Sequence, residues 1–193
     1  MRFLGYVVLS LILGLLVGRG YRLNFGNLYE LVLYILIFIV GIELGQRFET
    51  GRIKEFGSLA ITLPFMTLSG SLLGGVVASA LLGVGMKWGL AVAAGCGWYS
   101  LTGPLIGQYS VIYGTLGFLA NLVREMLTIL MYPLAIKGLP KGPAVSIGGA
   151  TTMDTTLAVM TKYGGSDVTL VAFVHGFILT LLIPFVVPLI LQL

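Results

Sequence analysis

Long apolar runs constrain this chain more than any other feature. Runs near or beyond ~18 apolar residues recur from its beginning to its end, and a helix of that length crosses the hydrocarbon core of a bilayer. Hydrophobic residues make up 58% of the 193 residues and charged residues only 9%. A soluble domain needs more charge to solvate its surface. The sequence therefore predicts an all-α, polytopic membrane protein.

Uninterrupted apolar segments predict five full spans, at about residues 3–18, 28–44, 58–84, 115–136 and 168–193. Two further apolar segments, 88–107 and 144–165, are broken by glycine, proline or polar residues. The chain is predicted to form one membrane-embedded domain: three N-terminal spans within 1–84, then two units, 88–136 and 144–193, each a broken segment followed by a span. Small residues at every fourth position of the third span are typical of a helix-packing seam: Ser71, Gly75, Ser79 and Gly83.

Basic residues predict how the broken segments lie. The polar loop 45–57 carries three basic residues and the loop 137–143 carries two, so both are predicted on the cytoplasmic side. If the chain crosses the membrane twice between these loops, both loops lie on the same side, whereas three crossings would place them on opposite sides. The segment 88–107 is therefore predicted to be a re-entrant hairpin that enters from outside, and 144–165 a hairpin that enters from inside. The N-terminus is then inside and the C-terminus outside.

The two broken segments also resemble each other. Residues 91–97 correspond to 144–150, and 127–130 correspond to 179–182, at an offset of about fifty residues. Either two glycine-rich apolar segments are similar by chance, or the chain contains an inverted repeat. Inverted repeats whose broken helices meet near the midplane are typical of secondary transporters. The hairpin tips are predicted at Gly95, Gly97, Gly148 and Gly149.

Ionisable residues within spans are costly, so each is a candidate functional residue. Arg124 and Glu125 lie near the middle of the span 115–136 and point about 100° apart on a helix, so each needs another partner. With Asn121 they form one polar face. This face is either a structural ion pair with a neighbouring helix or a site for a substrate or a proton.

Asp154 lies among threonines in the second broken segment, namely Thr151, Thr152 and Thr155. Hydroxyl groups and half-helix amides solvate a carboxylate or an ion at such a break; the alternative is a plain helix cap.

For the other polar and aromatic candidates, a structural role and a functional role are both open. Glu43 ends a span and either snorkels to water or binds a ligand. His175 is the only histidine, and is either hydrogen-bonded structure or a proton relay. Trp98, Tyr99 and Ser100 follow the first break and either pack or contact a substrate.

Several motifs resemble the prokaryotic lysine exporter (LysO) family. They are GCGWYSLTG at 95–103, NLVRE at 121–125, GGATTMDTTL at 148–157 and VHGFIL at 174–179, with a weaker match, GIEL, at 41–44. The resemblance implies a plasma-membrane exporter of lysine and close basic analogues, in which Glu125 and Asp154 are the functional pair. Typical members carry additional spans before the region matched by Phe3. A shortened member implies a homo-oligomer or a separate small membrane subunit that supplies those spans.

The leading functional hypothesis is a secondary transporter that works by cation antiport, with no cofactor and with a proton or sodium as the coupling ion. The sequence contains no P-loop motif that would indicate direct use of ATP. It also contains no metal-ligand spacing or Ser–His pairing that would indicate an enzyme. No basic cluster interleaved with aromatic residues points to nucleic acid. The alternatives are a carrier or channel for another small cationic solute and a non-transporting subunit of a larger complex.

Overall fold

The computed structural model describes residues 57–193 without a gap, and isolated helical positions between residues 9 and 42. The chain divides into two compact units, residues 1–38 and 39–193. The predicted spans 3–18 and 28–44 fall mostly outside the described residues, and Glu43 falls wholly outside them.

Every regular element within residues 57–193 is helical. The α-helices are α1 (Gly57–Leu82), α2 (Met86–Ala94), α3 (Tyr99–Gly107), α4 (Val111–Ala135), α5 (Leu157–Gly164) and α6 (Ser166–Leu191), and two 3-10 helices cover Pro143–Ile147 and Gly149–Met153. Three helices of this region are long and apolar enough to cross a membrane, over Leu59–Leu82, Val111–Ala135 and Ser166–Leu191. They correspond to the last three predicted spans, and the all-α prediction is confirmed for this region.

The small residues of α1 form a packing seam, as predicted. Gly83 has a φ of +66°, which lets the chain turn sharply so that α2 runs back along α1. A methyl group at Gly75 would lie 2.8 Å from both the Ala93 Cβ atom and the Gly89 carbonyl oxygen. Only a small residue allows the two backbones to approach this closely.

The first broken segment consists of α2, a break at residues 95–98 and α3. Cys96 and Gly97 have φ angles of +44° and +92°, and the helix cannot continue through this left-handed backbone. α3 then packs along α4, where a methyl group at Gly114 would lie 2.5 Å from the Gly107 Cα atom. Both outer ends of the segment therefore lie near the C-terminus of α1 and the N-terminus of α4.

The second broken segment begins and ends at the opposite end of α4. The Tyr132 hydroxyl donates to the Lys141 carbonyl oxygen over 3.4 Å, and a methyl group at Gly164 would lie 2.7 Å from the same hydroxyl oxygen. Tyr132 is fully buried in an apolar cluster with Leu63, Ala144, Val145, Met160, Val168 and Ala172. The middle of the segment reaches Gly176, halfway along α6, where a methyl group would lie 2.5 Å from the Met153 amide nitrogen.

Candidate functional site

The breaks of the two segments meet each other. The Ala150 amide donates to the Cys96 carbonyl oxygen over 2.9 Å. A methyl group at Gly97 would lie 3.1 Å from the Gly148 carbonyl oxygen. Gly149 has a φ of +62° and packs directly on the Cys96 carbonyl, a position that only glycine occupies without strain. The structure thus brings Gly97 of the first predicted tip next to Gly148 and places Gly149 on the first break, whereas Gly95 lies against Thr102 and Asn121.

Asn121 of α4 holds the first break. Its Oδ1 atom accepts a hydrogen bond from the Gly97 amide over 2.6 Å. Its Nδ2 atom donates to the Val92 carbonyl over 3.0 Å and to the Gly117 carbonyl over 2.9 Å. A methyl group at Gly95 would lie 2.8 Å from the same Nδ2 atom. The amide of Asn121 is therefore fully engaged in positioning backbone.

Arg124 holds the second break from the same helix. Its Nε atom donates to the Ile147 carbonyl over 3.2 Å and its Nη2 atom to the Ser146 carbonyl over 3.3 Å. Its Nη1 atom donates to Ser71 Oγ of α1 over 2.6 Å. The Thr128 hydroxyl also contacts the Ile147 carbonyl, at 3.2 Å. Side chains about one turn apart on α4 thus contact both breaks.

Glu125 points to a different group of residues. Its side chain is buried, with 6% of its surface exposed, and its Oε2 atom has no hydrogen-bond partner among the described residues. Its carboxylate interacts with Asp154 and with the Thr155 hydroxyl. Tyr99 interacts electrostatically with both carboxylates. The two acids singled out in the sequence therefore lie in one electrostatic neighbourhood.

Asp154 and Thr155 form the exposed side of this neighbourhood. The Asp154 Oδ1 atom accepts from the Thr155 amide and, over 3.2 Å, from the Thr155 hydroxyl. The residue at the N-cap of α5 is Thr156. Asp154 thus lies just before the helix, where its side chain is exposed and interacts electrostatically with Glu125.

His175 links α1 to the second break. Its Nε2 atom lies 2.8 Å from the Thr67 hydroxyl and its Nδ1 atom 3.0 Å from the Thr152 hydroxyl. The Thr152 hydroxyl donates to the Gly149 carbonyl over 2.9 Å, so it accepts from Nδ1–H, and Thr67 donates to Nε2. These hydrogen bonds suit a neutral ring, and the geometry favours a structural His175.

The remaining candidates surround the breaks. The Thr151 hydroxyl donates to the Gly148 carbonyl over 3.0 Å and lies 3.3 Å from the Thr156 hydroxyl. Trp98 and Ser100 are half-buried, and Tyr99 packs edge-on against Phe118 with ring centroids 5.3 Å apart.

Sequence reasoning treated Ser71 only as a packing residue and missed its contact with Arg124. The sequence feature that could have revealed this contact is the hydroxyl group of Ser71 within a stripe of small residues on an apolar helix.

The family model of the lysine exporter LysO matches residues 4–191. The chain belongs to the lysine exporter LysO family. A LysO-family relative, the lysine exporter LysO of Escherichia coli (strain K12), is 32% identical over 188 residues, which cover 97% of this chain and 62% of the relative. A putative lysine exporter of Haemophilus influenzae is 32% identical over 183 residues, which cover 94% of this chain and 92% of the relative. No solved structure matches the chain.

Membership of the LysO family confirms the resemblance found in the sequence motifs. It agrees with the prediction of a transporter rather than an enzyme. Together with the long apolar helices, it makes the chain a multi-pass protein of the cytoplasmic membrane. The chain spans 62% of the length of the Escherichia coli relative.

Proposed function

We propose that this chain is a secondary transporter that exports L-lysine and close basic analogues from the cytoplasm by cation antiport. The observation that carries the proposal is the convergence of Glu125 and Asp154 beside the point where two broken helical segments meet. Buried acids in an apolar bundle are costly and attract cations. Lysine offers such a cation at its side-chain amine and another at its α-amine. The names of both relatives refer to lysine export.

The broken segments act as re-entrant hairpins of an inverted repeat. The outer ends of the first lie with Lys87 and the stacked rings of Trp88 and Tyr113, whose centroids are 4.4 Å apart. Tryptophan and tyrosine favour membrane interfaces. The outer ends of the second lie near Lys141 and Lys162. Within residues 57–193 that end carries three lysines, Lys137, Lys141 and Lys162, against Lys87 at the other end, and this favours the cytoplasmic side. Irregular backbone at membrane depth is tolerated where protein buries it, as the tip-to-tip contact does here.

Export of a cation works against the membrane potential, which costs about 2.3 kcal/mol per charge per 100 mV. A driving ion is therefore needed. The Oε2 atom of Glu125 lacks a hydrogen-bond partner among the described residues, so a proton or an ammonium group satisfies it. Competition between a proton and lysine for one carboxylate gives antiport. Sodium remains the rival ion, because the carboxylate and hydroxyl oxygens of Asp154 and Thr155 also suit a hard cation.

Counterflow in proteoliposomes tests this function. Purified protein is reconstituted, and lysine movement is measured with a pH gradient or a sodium gradient imposed separately. Glu125→Gln and Asp154→Asn are expected to abolish gradient-driven lysine transport. Asp167→Asn, a change at an exposed acid near the start of α6, is the matched control and is expected to keep it.

Each competing function gives a different result. A channel moves lysine without saturation, a carrier for another solute exchanges that solute in preference to lysine, and a non-transporting subunit moves nothing. If both acid variants keep full gradient-driven transport, neither acid carries the coupling, and Glu43 and His175 become the next candidates. A homo-oligomer or a small partner subunit is indicated if transport appears only on co-reconstitution or at high protein density.

A further inference from the structure

A second site lies beside Arg124, about 100° around α4 from Glu125. A cavity of about 300 Å³ lies between α1, α2 and α4. It extends from Leu82 and Val84, beside the turn between α1 and α2, to Ser71 and Arg124 at the level of the breaks. Its walls are mostly small or aliphatic side chains, including Gly75, Ala78, Gly89, Ala93 and Ala120. This volume is at the lower end of the range for small-molecule pockets.

Arg124 is the charged group among the described residues that line this cavity. Its hydrogen bonds go to a hydroxyl and two backbone carbonyls, and it also interacts with the Cys96 thiol; all four partners are neutral. A guanidinium carries five N–H donors, so these bonds leave some of its hydrogens for a ligand. A positive charge at membrane depth is costly unless an anion compensates it. The cavity therefore suits a small anionic group.

The backbone amides of the breaks are poor alternatives for this anion. The Gly97 amide already donates to Asn121, and the Ala150 amide already donates to the Cys96 carbonyl. The Asn121 amide group and the Ser79 hydroxyl, which also line the cavity, bond to backbone carbonyls. Arg124 thus offers the donors that the surrounding protein leaves for a ligand, and a planar guanidinium matches a carboxylate in shape.

We propose that Arg124 binds the α-carboxylate of the transported amino acid in this cavity. The inference rests on the proposed function, because it assigns the second end of the same substrate. It explains why neighbouring charges of opposite sign point into different surroundings: Arg124 recognises the carboxylate and Glu125 a cationic group. The site discriminates amino acids from plain diamines.

Isothermal titration of the full-length chain in detergent tests the assignment, with L-lysine and L-lysinamide as ligands and a bulky sulfonate as the buffer anion. Lysinamide keeps both amines and the stem but has no carboxylate. Wild-type protein is expected to prefer lysine by at least about tenfold, the effect of losing a hydrogen-bonded charge. Ala78→Leu fills the cavity and should reduce this preference to near unity. Ala80→Leu, on the same helix but outside the cavity lining, is the matched control and should keep it.

The ratio of the two affinities separates loss of the site from loss of folding, because a misfolded protein binds neither ligand. Ala120→Leu fills the same cavity from α4 and provides a second variant if Ala78→Leu does not fold. Equal affinity of wild-type protein for both ligands, or a full preference retained in both filled variants, overturns the assignment. Chloride that weakens lysinamide binding as much as lysine binding shows that the carboxylate of lysine does not compete for Arg124, and overturns the assignment too. Absence of any lysine binding overturns the proposed function itself.

Discussion

Arg124 and Glu125 show how single residues of this chain are used. They are neighbours in sequence, yet the guanidinium binds α1 and the second break while the carboxylate faces Tyr99 and Asp154. The separation of about 100° between successive helical residues sends them to different surroundings. Neighbouring positions of one helix therefore contact different parts of the protein.

Gly149 is expected to be intolerant of any side chain. A Gly149→Ala substitution places a methyl group on the Cys96 carbonyl at a φ of +62°, so strain and overpacking together should destabilise the protein by about 2–4 kcal/mol. The measurement is thermal unfolding of the detergent-solubilised protein, together with lysine counterflow. Gly138→Ala is the control, since a methyl group there meets nothing within 4 Å. Equal melting temperatures of the two variants would contradict the tight contact between the breaks.

His175 provides a test between a structural residue and a proton relay. Both ring nitrogens are hydrogen-bonded to threonines, so His175→Gln should lower the melting temperature, at a cost of about 1–3 kcal/mol for imperfectly paired groups. The pH dependence of the remaining export should match that of wild-type protein, because a neutral, fully bonded ring does not exchange protons in the cycle. Initial export rates across a pH series provide the measurement. A displaced pH profile would instead identify His175 as part of the coupling path.

At the scale of the elements, α4 organises both broken segments. Asn121 fixes the break between α2 and α3, and Arg124 fixes the break between the two 3-10 helices. The tips then hydrogen-bond directly to each other through Cys96 and Ala150. A change at one break is therefore expected to reach the other through α4 and through this shared contact.

Cys96 offers a native reporter of that contact. It is the only cysteine of the chain and its side chain is fully buried, so a maleimide should react slowly with the folded protein. Asn121→Ala removes the bonds to Gly97 and Val92 and should speed this reaction by about tenfold, as expected for a loss of ~1.4 kcal/mol of local stability. Gln108→Ala, at an exposed amide in the turn before α4, is the control. An unchanged labelling rate in Asn121→Ala would contradict the role of Asn121 in holding the break.

At the scale of the whole molecule, the three long helices of residues 57–193 separate two ends with different chemistry. Lys87 lies at the end that holds the α1–α2 and α3–α4 turns, and Lys141 lies at the end beside Tyr132. Cysteines introduced at these two lysines, in a Cys96→Ser background, should therefore react with a membrane-impermeant reagent from opposite sides of intact cells and inverted vesicles. Reaction of both from one side would exclude hairpins that enter from opposite faces.

The class of the fold was evident in the sequence, because a membrane chain must satisfy every backbone polar group within its own helices or at buried breaks. The ends of α1, α4 and α6 lie within a few residues of the predicted spans, and the predicted breaks coincide with residues of positive φ, Cys96, Gly97 and Gly149. The motifs around Glu125 and Asp154 were sufficient to predict the family. Local sequence pattern determines these features, because the length of an apolar run and the position of a glycine affect the structure of the segment in which they occur.

Only the tertiary structure decided which polar groups meet. Ser71 and Arg124 are 53 positions apart, and Thr67 and His175 are 108 positions apart. No local pattern specifies such pairs, because they depend on how closely the small residues allow α1, α2 and α4 to pack and on the direction in which each break turns the chain. The sequence predicted that two acids, an arginine and a histidine lie within apolar segments. Packing determined that both ring nitrogens of the histidine are hydrogen-bonded, that the two acids interact electrostatically, and that the arginine lines a cavity.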